Sequence, residues 1–65
     1  MNNEDLMAEV LLENERRLRE LRADLKNVYA LIDSGRVHGT ALNGLRKLAM
    51  ILSETILILR KVREW

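Results

Sequence analysis

Sixty-five residues with no cysteine and a single histidine, His38, make one short domain that neither a disulfide nor a zinc site of ordinary ligand sets can reinforce. A net charge of +1 excludes a strong global field for nucleic acid or an acidic membrane. What remains to complete so small a core is another polypeptide, a second copy or a different protein.

The N-terminal stretch 1–15 carries five acids (Glu4, Asp5, Glu9, Glu13, Glu15) and no base. An acidic start without an apolar core ahead of a small-residue site predicts no secretory leader, and the absence of cysteine fits the cytoplasm. From Leu6 onward a heptad emerges, with Leu11, Leu18, Leu25 and Ile32 at position a and Met7, Asn14, Leu21 and Val28 at position d. That narrow apolar stripe predicts a first helix over about residues 3–34, suited to a coiled-coil-like partner. Its outer positions are charged, and Glu15–Arg19 and Arg16–Glu20 stand in i,i+4 register. Asn14 occupies a seam position, where it either fixes register from a buried site or reaches water at the open end. Arg16, Arg19, Arg22 and Lys26 share an outward stripe. Phosphate contact by that stripe is one reading, but interleaved Glu13, Glu20 and Asp24 and the near lack of aromatic side chains favour a solvated charged face.

Proline is absent, and the one evident break runs Asp33-Ser34-Gly35-Arg36-Val37-His38-Gly39-Thr40. Gly35 suits a left-handed helix C-cap and Thr40 an N-cap, which predicts a turn at 35–39 with His38 as a solvated loop residue.

A second helix is predicted over about residues 40–64. With a at Leu45, Leu52 and Leu59 and d at Leu48, Thr55 and Val62, the e, f and g positions are also apolar through Ala49, Met50, Ile51, Ile56, Leu57 and Ile58. Only Arg46-Lys47, Ser53-Glu54 and Arg60-Lys61 form a polar strip. So wide an apolar arc belongs to a helix covered on more than one side. Its centre, Leu48–Leu59, is shorter than the ~20 apolar residues a membrane crossing needs and contains Glu54.

Two helices joined by a short connection lie antiparallel. Folding at residues 36–37 pairs positions whose numbers sum to about 73, placing Leu11 near Val62, Leu18 near Thr55 and Ile56, and Leu25 near Leu48. It also brings Glu9 and Glu13 beside Arg60, Lys61 and Arg63. The expected fold is therefore an all-α antiparallel two-helix hairpin, one domain over residues 1–65, completed to a bundle by a partner or a second copy.

Helix 1 can cover one side of helix 2 only. Met50, Ile51, Ile56, Leu57, Ile58 and Trp65 are the candidate partner-binding residues, with Leu12 and Tyr29 extending the surface, and Arg16, Arg19, Arg22 and Lys26 are candidate phosphate contacts. No nucleophile, base and orienting group recur together, so no catalytic, cofactor or metal residues are expected. Small aspartyl-phosphate phosphatases of sporulation signalling are also hairpins, but Leu45-Arg46-Lys47-Leu48-Ala49 lacks the acid of their helix 2 signature.

The layout resembles the small helical-hairpin co-chaperones of type III secretion needle subunits. A leucine-spaced first helix ends in Leu31-Ile32-Asp33-Ser34-Gly35, and the second carries Leu52-Ser53-Glu54-Thr55-Ile56-Leu57-Ile58-Leu59. The resemblance spans most of the chain and implies that helix 2 packs on a helical-repeat chaperone, the pair shielding an amphipathic needle helix. The expected function is a non-catalytic chaperone or adaptor that docks helix 2 on a helical partner. The alternative is a homodimeric four-helix-bundle regulator that contacts nucleic acid through the basic stripe.

Overall fold

A computed structural model of the protein describes residues 3–63, with side chains as far as Val62. Two helices, α1 (Asn3–Asp33) and α2 (Gly39–Arg63), pack antiparallel into a rod with Cα extents of 51 × 16 × 14 Å. The fold is the all-α hairpin expected from the heptads, and the helix boundaries differ from expectation by one residue at each side of the turn.

The turn is built by local hydrogen bonds. Gly35 adopts φ 71°, ending α1 with a left-handed residue where a side chain would be strained. The Ser34 amide donates to the Ala30 carbonyl at 3.0 Å, and the Gly35 amide donates to the Ile32 carbonyl at 3.5 Å. Ser34 Oγ donates to the Leu31 carbonyl at 2.6 Å and accepts from the Arg36 amide at 3.3 Å. A direct bond from the Arg36 amide to the Leu31 carbonyl would make a Schellman cap, so the Ser34 hydroxyl relays that bond. Gly39, at φ 64°, opens α2, and Thr40, expected as the cap, is already the second helical residue.

Asn14 fixes the register at the other end. Its Nδ2 donates to the Leu59 carbonyl at 2.9 Å, and the residue is only 6% exposed. The two numbers sum to 73, the register expected from folding the chain at residues 36–37. Of the two readings of Asn14, the buried, register-setting one holds.

The seam of α1 is the expected one. Asn14, Leu18 and Val28 are buried and Leu21, Leu25 and Ile32 half-buried, whereas Met7 and Leu11 near the open end are exposed. On α2 the seam keeps the predicted a row of Leu45, Leu52 and Leu59, but its second row moves one position on, from Leu48 and Thr55 to Ala49 and Ile56. Ala49 and Ile56 are buried, and Leu42, Leu45, Leu52 and Leu59 half-buried, which is a 3-4-3-4-3 spacing. Leu48 and Val62, assigned to d from sequence, stay exposed at 42% and 37%. The chosen frame holds only Leu, Ala and Ile, whereas the predicted one would bury Thr55 (the physical reason for the shift).

The ion pairs found among the described residues lie within α1, and none of them joins Glu9 or Glu13 to Arg60 or Lys61 across the hairpin as the charge register predicted. Glu13 Oε1 accepts from Arg17 Nε at 3.3 Å and pairs with Arg16 at 3.8 Å, and Arg16 also reaches Glu20 at 3.8 Å, as the i,i+4 spacing predicted. All of these side chains are roughly half exposed or more, so each pair contributes at most about 1 kcal/mol.

Candidate docking surface

The hairpin core is thin. Leu18, Val28, Ala49 and Ile56 are its buried apolar residues, while thirteen large apolar side chains are exposed among the described residues. On α2 the exposed ones fall into two strips rather than one broad patch.

The first strip holds Leu48, Ile51, Ile58 and Val62, exposed at 42%, 56%, 62% and 37%. With Thr55, itself half-buried at the edge of the hairpin seam, they repeat at 3-4-3-4, and Ala41 and Gly44 continue the series toward the start of the helix. Each member from Ala41 to Ile58 precedes a residue of the hairpin seam by one position, so the strip is a second heptad seam turned by about 100° from the first. Thr55 does not interrupt it. Its Oγ1 donates to the Ile51 carbonyl at 2.8 Å, so the hydroxyl is satisfied within the helix and its methyl group completes the apolar row.

The second strip is Met50 and Leu57, seven residues apart and 57% and 54% exposed. Lys47, Glu54 and Lys61, also at heptad spacing, run along the back of α2 between the two strips. The chain therefore divides the predicted face in two along a charged line.

The remaining candidates sort as follows. Ile56, expected on the docking face, is 9% exposed and belongs to the hairpin core, which removes it from any free surface. Trp65 lies outside the described residues. On α1, Leu12 and Tyr29 are exposed, as are Arg16, Arg19, Arg22 and Lys26, with Arg16 held between Glu13 and Glu20. A shallow groove at the open end is lined by Glu9, Val10, Glu13, Asn14 and Arg17 of α1 and by Leu59 and Val62 of α2, so the Val62 end of the first strip borders the Val10–Arg17 edge of α1.

Sequence reasoning missed Leu48 and Val62 as surface residues because they were assigned to the seam. The signal that finds them is the 3-4 spacing itself, which extends without a break from Ala41 to Val62. No helix among the described residues is long and apolar enough to cross a membrane. No family model, curated protein or solved structure matches the chain.

Proposed function

We propose that the protein is a non-catalytic helix-docking module, a chaperone or adaptor of the cytoplasm, whose α2 buries its outward apolar strips against a helical surface. The observation that carries this reading is the second heptad seam, Leu48-Ile51-Thr55-Ile58-Val62, left open by a hairpin whose first seam is already filled. Fully burying a large apolar side chain is worth about 1.5–3 kcal/mol, and these are already about half covered, so closing both strips would add several kcal/mol to a thin two-helix core. Regular 3-4 spacing selects a helix as the occupant, because knobs at that period fit the holes of another helix. The layout shared with needle-subunit co-chaperones offers one setting in which such a surface would shield an amphipathic helix.

The test uses a synthetic amphipathic helix of four heptads with leucine at a and d, titrated against the protein and followed by circular dichroism and sedimentation. Either self-association or complex formation with the peptide is expected below about 100 μM. Replacing Met50, Ile51, Leu57 and Ile58 by Gln should abolish both while leaving the hairpin helical. A native chain that stays monomeric and ignores the peptide, behaving like the Gln variant, would refute the docking function.

A further inference from the structure

We infer that the first strip of α2 is closed by α2 of a second copy, running antiparallel about a two-fold axis near residue 50. This rests on the docking function above and identifies one of its occupants. The strip is complementary to itself in charge and in side-chain size.

In an antiparallel pair of helices, the residues that flank the seam on one side meet their own kind across the axis. For the second seam these flanking residues are Lys47, Glu54 and Lys61. When Leu48 lies opposite Ile51 of the second copy, Lys47 lies opposite Glu54 of that copy, and symmetry makes the same pair twice. Sliding one copy by a heptad sets Glu54 against Glu54 and Lys47 against Lys61, both repulsive. A further heptad in the same direction restores opposite charges through Glu54 and Lys61, but only about 14 residues of each α2 then overlap. The first register keeps about 22 of the 25 residues in contact, a length of about 33 Å.

Side-chain size agrees with this register. Small residues at the start of the strip meet larger ones at its end: Ala41 faces Ile58, and Gly44 faces Thr55. A Cβ at Gly44 would meet nothing within 4 Å in the isolated chain, so the space beside it is open to a neighbouring helix. Because the two seams of α2 are about 100° apart, α2 becomes one corner of a bundle in which both of its apolar seams are covered. A contact about 33 Å long and up to two helices (roughly 20 Å) wide offers on the order of 600–700 Å² per copy, near the ~800 Å² per partner of stable interfaces. Met50 and Leu57 stay outside this contact and remain available to a different helix.

Sedimentation equilibrium over a dilution series tests the inference on the full chain. The native chain should be dimeric at micromolar concentration. Glu54→Lys should weaken the dimer at least tenfold, and the charge-swapped Lys47→Glu/Glu54→Lys should restore it to within a few-fold. The chain has no cysteine, so single-cysteine variants report the register directly. Ile51→Cys sits about 4.5 Å from its own copy along the axis and should form a disulfide-linked dimer on oxidation. Ile58→Cys is about 25 Å from its copy and should not. Equal cross-linking at both positions would indicate a parallel pair and overturn the inference, as would a dimer indifferent to the charge swap. A monomeric native chain that still binds the amphipathic peptide would overturn the second copy as occupant while leaving the docking function standing.

Discussion

Asn14 shows how one polar side chain can specify a hairpin that apolar residues alone leave free to slide. Its amide is buried and bonded to the Leu59 carbonyl, which stands near the end of α2. Asn14→Ala removes that bond and leaves a void, so a loss of about 1–3 kcal/mol is expected in urea denaturation. Asn14→Leu fills the void with apolar volume and should leave stability equal or higher, because a buried polar group is retained for specificity more than for strength. The cost should appear as register heterogeneity, read from the distance distribution between spin labels at positions 11 and 62. A single sharp distance in Asn14→Leu would show that the apolar layers fix the register unaided. At the turn, Gly35→Ala places a Cβ on a left-handed backbone and should cost about 1–2 kcal/mol, measured as a lower thermal midpoint. Ser34→Ala breaks the relay between Arg36 and Leu31 and should cost about 0.5–1.5 kcal/mol.

At the scale of the helices, α1 was legible and α2 only partly so, for a reason visible in their sequences. Outside its seam α1 is mostly charged, so only one frame buries leucine without burying charge. Along α2 neighbouring frames one residue apart present almost equally apolar stripes, and side-chain periodicity cannot rank them. Packing ranks them: the frame through Ala49 and Ile56 contains no polar residue, and the small Ala49 admits the facing helix closely. The Ser53-Glu54-Thr55 triplet was legible as a solvent strip only in part. Glu54 faces outward as expected, Ser53 is half-buried at the edge of the seam, and Thr55 joins an apolar row by satisfying its own hydroxyl. The two seams make separable predictions. Ile56→Ala should cost on the order of 2–5 kcal/mol, enough to unfold a chain of this size, whereas Ile51→Ala should change the stability of dilute monomer by less than about 0.5 kcal/mol. Paired denaturation curves at low concentration check both.

For the whole molecule, a hairpin with more large apolar side chains outside than inside cannot be assigned a stability independent of what covers it. If α2 is closed by another chain of the same kind, folding and assembly are linked, and the thermal midpoint should rise with protein concentration by the mass-action relation. Raising the concentration from about 5 to 500 μM should move the midpoint upward by several degrees in the native chain. The Ile51→Gln/Ile58→Gln variant should show a midpoint that does not move. A flat midpoint in both would mean that the strip contributes nothing to the folded state in isolation.

Hydrogen bonds pin the hairpin at the relay around Ser34 and at Asn14, roughly 30 Å apart along the chain of α1. Ahead of Asn14, residues 3–13 are exposed throughout, so the leading three turns of α1 put no buried side chain into the seam. Amide hydrogens in that arm should therefore exchange with solvent deuterium much sooner than those between the pins, dividing one continuous helix into a protected span and a peeling end.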